Sequence, residues 1–332
     1  METARKSRER KGYLEMENKE ILFLTPVFKE MVWGGNRMGE EFHYALSSDH
    51  IGECWGISAH PHGDCEVREG AFKGKKLSEL WKEEPGLFGH YEAEGFPLLI
   101  KIIDAKQDLS IQVHPNDAYA KEKENGSLGK TECWYVLDCE EGSGLVIGHN
   151  AGSREQMKEM IEKGQWQEFL RELPIHKGDF IQIDPGTVHA IKGGLLILET
   201  QQSSDITYRL YDYGRMVDGK PRQLHLEKSM DVITVPAKDV SSSVKGTLAL
   251  PADTRNALEA NQYYTVWKIK VEKGCAFAQD YPFMNMSVVE GEGTVNGQKI
   301  KKGDHFVLPC GFGEVELQGE MCLIASAAGK VG

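Results

Sequence analysis

Apolar residues along this chain fall in short runs closed by Gly, Pro or Asp. The segments 97–103 (PLLIKII), 133–137 (CWYVL), 179–183 (DFIQI), 195–198 (LLIL), 265–271 (TVWKIKV) and 286–289 (MSVV) predict β-strands, and their number favours sandwiches or barrels. Helical signals are confined to insertions. Ser153 followed by Gln156 forms a capping box, and Met157, Met160 and Ile161 give a buried stripe continuing towards Phe169 and Leu170, predicting a helical insertion over about 153–172. Shorter helices are expected at 77–81 and 117–123. The Met157 and Met160 pair reads as core, since soft thioethers suit a hard-oxygen metal site poorly.

The strand pattern repeats. Residues 178–189 (GDFIQIDPGTVH) and 303–313 (GDHFVLPCGFG) both read Gly-Asp, an apolar strand, then a Pro and Gly turn. Upstream, 288–298 reads as a hairpin that echoes 135–146. Two copies of one small β-barrel are therefore expected. No histidine follows Pro309 in the second copy and no Gln-x-His precedes it, so that copy is expected to be degenerate and metal-free. Gly291-x-Gly293 lies in a hairpin pattern with no following helix, which makes a dinucleotide loop a weak reading. The expected division is a leader at 1–20, a catalytic barrel at 21–240 and a C-terminal barrel at 241–332.

Composition narrows the function classes. The chain has 332 residues, 40% of them hydrophobic and 27% charged, which is ordinary for a globular protein. It has no run approaching the ~20 apolar residues of a membrane span. The polar start (METARKSRERK) lacks an apolar signal region, so residues 1–15 are read as an extension without a role in the fold. Seven cysteines, an odd number with no Cys-x-x-Cys, argue against a disulfide framework or thiolate zinc module and point to the cytoplasm. The net charge of -12 disfavours a nucleic-acid partner, and an anionic small molecule would need a local positive pocket.

The chemistry-bearing segment is SIQVHPND, residues 110–117. Alternate residues of a strand share a face, so Gln112 and His114 point the same way. Glu132 and His189 lie farther on, each in or beside a strand pattern. Singly, a strand-end Gln or Glu is usually solvated and a lone His usually packs. Together, two imidazoles, a carboxylate and an amide make one plausible metal site, suited to zinc and equally to non-haem iron.

The segment from Gly178 to His189 resembles the second motif of the cupin β-barrels. Trp33-Gly-Gly35, Glu53 to Ser58, Phe96 to Lys101, Leu109 to Pro115, Lys130-Thr-Glu132, Pro185 to Ala190 and Glu199 to Arg209 together resemble the type I mannose-6-phosphate isomerase family in its short bacterial form, over roughly residues 22–236. The resemblance implies an all-β-dominated fold of two cupin-type (jelly-roll) barrels. It implies one Zn²⁺ per chain held by Gln112, His114, Glu132 and His189. Arg209, Lys130, Glu199 and Asp205 are then expected in catalysis, with Trp33, Lys101 and Ser110 as substrate-binding positions. The implied reaction interconverts mannose 6-phosphate and fructose 6-phosphate through a cis-enediol. Glu199, Asp205 and Lys130 are all candidate proton carriers, and Arg209 suits stabilisation of the enediolate.

Plainer readings stand beside these. Trp33 after an apolar strand is often core, Asp205 and Arg209 suit a structural ion pair, and the Glu53 to Trp55 segment reads as barrel support flanked by close-packing glycines. An iron-dependent cupin dioxygenase and a non-catalytic sugar-binding cupin are the competing functions. Between Glu132 and His189 the chain lacks the long helical domain of larger family members.

Overall fold

The computed structural model describes residues 20–239 and 243–329. Almost all of the leader therefore lies outside the described residues. The chain divides into two compact units, one formed by Phe28–Trp55 and Leu98–Ala249 and the other by the N-terminal residues to Val27, Gly56–Pro97 and Leu250 onward.

The first unit is a two-sheet barrel. Its larger sheet orders the strands Val244–Gly246, Asp179–Ile183, Glu132–Cys139, Leu195–Gln202, Leu98–Ala105, Val27–Gly35 and Ile51–Ile57. Its smaller sheet orders Leu170–Pro174, Gly144–His149, His189–Ile191, Ile111–Val113 and Tyr208–Tyr211. Strand alternation sorts the smaller sheet into two faces. Leu145, Ile147 and Ile191 join Trp33, Ile103, Trp134, Ile181 and Ile197 of the larger sheet in one core. Ile111, Val113, Val146, Ala190, Tyr208 and Leu210 pack on the opposite side with Met157, Met160, Ile161 and Phe169.

The helical insertion is shorter than its sequence pattern. Ser153 Oγ accepts a hydrogen bond from the Gln156 amide at 3.2 Å and caps a helix over Arg154–Glu162 with Met157, Met160 and Ile161 buried. Gly164 then takes a positive φ of 63°, a short turn of helix spans Trp166–Phe169, and Leu170 begins a strand. The expected helices at 77–81 and 117–123 are present as Leu77–Glu83 and Asp117–Lys123.

The second unit holds a nine-stranded sheet whose path runs through Thr254–Ala260, Tyr264–Val271, Gly313–Ala328, Met284–Val295, His305–Leu308, Leu22–Thr25 and Glu66–Val67. Leu22–Thr25 pairs with His305–Leu308, so the linear boundary expected at 240 is corrected: the C-terminal barrel recruits a strand from the start of the chain. Phe306 and Leu308 enter a core that includes Phe23, Met284, Met286, Phe312 and Leu323. Burial pushes His305 down to about 4 despite nearby Asp304, and its Nδ1 lies 2.8 Å from Ser287 Oγ. A Cβ added at Gly56 would lie 2.5 Å from the His305 ring, which is the close packing expected of that glycine.

One expected echo differs. Met284–Val295 and Gln298–Lys301 do form a hairpin. Glu132–Cys139 and Gly144–His149 do not pair; the turn through Gly142, at φ 79°, carries the chain from the larger sheet to the smaller. None of the seven cysteines is joined in a disulfide. No helix among the described residues is long and apolar enough to cross a membrane.

Candidate active site

The site grows from the inner parity of the first barrel. Ile111 and Val113 pack outward, which turns Ser110, Gln112 and His114 inward. Ala190 and Leu210 likewise pack outward, so His189 and Arg209 face the other side. From the larger sheet, Lys101, Glu132 and Glu199 share the inward face of their strands with Ile103, Trp134 and Ile197, two residues away in each case, and register aligns Glu199 with both Lys101 and Trp134. Lys101, Ser110, Gln112, Glu199 and Arg209 line a cavity of about 100 Å³ together with Trp33 and Lys130, with Glu53, Trp134, Thr207 and Arg222 among the others.

Next to the lining residues Gln112 and Lys130, one ligating atom from each of His114, Glu132 and His189 lies within 4.8 Å of the others, all three residues buried. His189 Nε2 is 3.3 Å from Glu132 Oε1, and His114 Nε2 is 3.6 Å from Glu132 Oε2. The far nitrogens are committed. His114 Nδ1 donates to the Ile206 carbonyl at 2.9 Å, and His189 Nδ1 donates to the Thr187 carbonyl at 2.9 Å. A carbonyl only accepts, so each Nδ1 carries the proton and each Nε2 turns a lone pair towards the carboxylate. Burial, and then Lys130, press His114 well below the ordinary histidine range, while burial pushes His189 down to about 4. The Gln112 amide nitrogen lies 3.3 Å from His189 Nε2, so a half-turn about the last side-chain bond would present the amide oxygen.

This donor set fits a divalent metal. Two neutral imidazole lone pairs face a buried carboxylate whose oxygens accept no hydrogen bond of ordinary geometry, although Oε2 lies 2.7 Å from Lys130 Nζ. Burial, reinforced by the nearby Glu199, pushes the Glu132 carboxyl upward. Hydrogen bonds from the far nitrogens to main-chain carbonyls are the supporting contacts that metal-binding histidines use.

Above the cluster sits a charge network. Lys130 Nζ lies 3.3 Å from His114 Nε2 and 3.6 Å from Glu199 Oε1. Lys101 Nζ lies 2.9 Å from Glu199 Oε2 and 3.8 Å from Glu53 Oε2. Burial opposes ionisation of Glu199, yet Lys101 and Lys130 hold it well below the usual carboxylate range. Burial likewise works against charge on Lys101, and Glu199 and Glu53 override it to raise the ammonium. Trp134 Nε1 donates to Glu199 Oε1 at 3.3 Å, and Trp55 Nε1 donates to Glu53 Oε2 at 2.6 Å.

Asp205 is exposed and is not among the cavity residues. Trp33 is both core and cavity wall, joining the two readings its position allowed. Two charged cavity residues, Glu53 and Arg222, lie outside the site set read from the sequence. Glu53 was read as barrel support, and the Lys101 pair shows that the same carboxylate faces the cavity. Arg222 carried no motif, because it lies in a polar stretch without strand alternation.

The catalytic-domain model of type I phosphomannose isomerases matches residues 21–142, and the mannose-6-phosphate isomerase cupin-domain model matches residues 253–328. Over 305 residues the chain is 48% identical to mannose-6-phosphate isomerase ManA of Bacillus subtilis, covering 90% of this chain and 96% of that protein. The chain belongs to the type I phosphomannose isomerase family. A second family relative, the mannose-6-phosphate isomerase of Streptococcus mutans, is 42% identical over 312 residues, covering 92% of this chain and 98% of its own. The crystal structure of the Bacillus subtilis mannose 6-phosphate isomerase matches with a TM-score of 0.84 at 42% identity, covering 92% of this chain and 99% of that one. The cupin-type barrels read from the sequence are thus those of the phosphomannose isomerase fold.

Proposed function

We propose that the chain interconverts mannose 6-phosphate and fructose 6-phosphate, with one zinc ion held by His114, Glu132 and His189 and completed by Gln112. Bound there, the metal would supply Lewis-acid polarisation of the sugar oxygens. The residues of the chain supply the rest.

Aldose to ketose conversion removes the proton from C2, forms a C1–C2 enediolate, and returns a proton to C1 while O2 loses a proton and O1 gains one. Glu199 carries the carbon proton in this reading, as a buried, ionised carboxylate on the cavity wall. Lys130, 3.6 Å away, is placed to pass protons among the oxygens. Arg209 stays charged and stabilises the enediolate. Ser110, Trp33 and Lys101 orient the sugar, while Asp205, exposed and off the cavity wall, takes no proton-transfer step.

The observation that carries this reading is the meeting of the His114, Glu132 and His189 cluster with the Lys130 and Glu199 pair beside one cavity in a chain of this family. A coupled assay with mannose 6-phosphate, with zinc added and after chelation, tests it. Conversion is expected in the first condition and loss in the second. Undiminished turnover in metal-free buffer would reject the zinc role, and no turnover in either condition would reject the reaction. The C-terminal barrel, with its apolar interior, serves as structure, so metal analysis of purified protein should give one zinc per chain.

A further inference from the structure

Arginines, and not the cavity lysines, supply the unbalanced positive charge at this site. Lys101 stands between Glu53 and Glu199, and Lys130 between Glu132 and the same Glu199, so three carboxylates face two lysines. Among the described residues no carboxylate forms an ion pair with Arg209. Its Nη1 donates to the Gln223 carbonyl at 3.0 Å, while its Nε is buried without a partner. Burial, and then Arg222, lower its pKa.

Arg222 lines the same cavity and is held in a fixed pose. Its Nε and Nη2 donate to the two oxygens of buried Asp212 at 2.7 and 2.6 Å. Asp212 also accepts from Arg215 Nη1 at 3.5 Å, and Arg215 Nη2 donates to the Asp108 carbonyl at 2.6 Å. The exposed hairpin of Met216–Val217 and Lys220–Pro221 is thus gripped at both stems by one carboxylate. Its exit strand is tied to Arg209 as well, because the His225 amide donates to the Arg209 carbonyl at 2.8 Å. Two guanidiniums, Arg215 and Arg222, therefore share the single Asp212 carboxylate, while Arg209 has no carboxylate partner among the described residues; Arg209 and Arg222 both line the cavity. Such an excess calls for an anion with several acceptor oxygens.

We propose that Arg222, together with Arg209, receives the phosphate of the phosphosugar, and that Asp212 is the positioning residue that aims Arg222 into the cavity. The inference rests on the phosphosugar reading above. It assigns the lysines to the sugar end and makes the hairpin a determinant of specificity for phosphorylated over free sugars.

The test is Arg222→Gln in the zinc-loaded full chain. KM for mannose 6-phosphate should rise about 10- to 100-fold, as expected for losing a charged hydrogen-bonding group, with kcat kept within about threefold. Arg222→Lys should recover part of the loss, and Asp212→Asn should raise KM in the same direction. Lys220→Ala, which removes an exposed charge at the hairpin tip, should leave KM unchanged. Isothermal titration with inorganic phosphate supplies a readout independent of turnover: the wild type should bind it and Arg222→Gln should bind at least about tenfold more weakly. An inactive wild type that still shows this difference would fault the reaction and leave the anion site standing. Unchanged KM and unchanged phosphate binding in a folded Arg222→Gln protein, or a loss confined to kcat, would overturn the assignment.

Discussion

The two barrels use the same Gly-Asp, strand, Pro and Gly segment to opposite ends. In 178–189 the segment leads to His189, which is fully buried beside Glu132 and His114. In 303–313 it leads to Phe312, sunk in a core of Phe, Met, Leu and Val side chains. The first barrel places ionised groups where the second places hydrocarbon, although a buried charge costs several kcal/mol unless paired. The lesson is that one strand frame supports either a dense apolar interior or a balanced ionic one, and that inward-facing residue types decide which.

The sharpest way to break this contrast is to unbalance the ionic interior. Glu199→Gln should lower kcat by about 10²- to 10⁴-fold, the usual range for losing a general acid–base group, with zinc content retained. His189→Asn should lose the metal itself, read by elemental analysis of the purified protein. If Glu199→Gln turned over at the wild-type rate, the proton-carrier assignment would pass to another residue.

In the apolar barrel the corresponding change should cost stability and spare chemistry. Phe306→Ala empties a fully buried ring site and should destabilise by about 3–5 kcal/mol in denaturant unfolding. The kcat of the protein that remains folded should not change. A loss of kcat matching that of the site variants would show that the two interiors do not divide the labour in this way.

His305 offers a comparison by pH. Its folded value of about 4 lies below the ordinary 6.5, so between those pH values the unfolded chain binds a proton that the folded chain refuses. Its contribution is complete above pH 6.5 and is lost as pH falls towards 4, by at most about 3 kcal/mol. Unfolding curves of wild type and His305→Asn should converge over that window; parallel curves would sink the claim. The smallest effect is expected outside both interiors: Ser153→Ala removes a helix cap and should cost about 1 kcal/mol with activity intact.

Much of the scaffold was readable because strand alternation is local. Gln112, His114, Glu132 and His189 stood out because two neighbouring donors on one strand face are uncommon, and the helix at Arg154–Glu162 because its cap and stripe agree. Nonlocal pairing left no such mark. Nothing within Leu22–Thr25 says that its partner is His305–Leu308, and the strand signals at 132–139 and 144–149 do not reveal that the turn between them changes sheets. The positive φ of Gly164, which ends the helical stretch early, competes with an apolar stripe that continues past it. Arg222 was invisible because its place depends on Asp212, ten residues away across an exposed polar hairpin.

The two imidazole protons are anchored by main-chain oxygens at 187 and 206, not by side chains. Exchange of the side chain at either position leaves its acceptor standing, so the tautomers that the proposed metal site requires are insulated from ordinary mutational drift. Residues 187 and 206 can therefore vary, for packing or for sugar preference, without resetting the protons of the centre beside them.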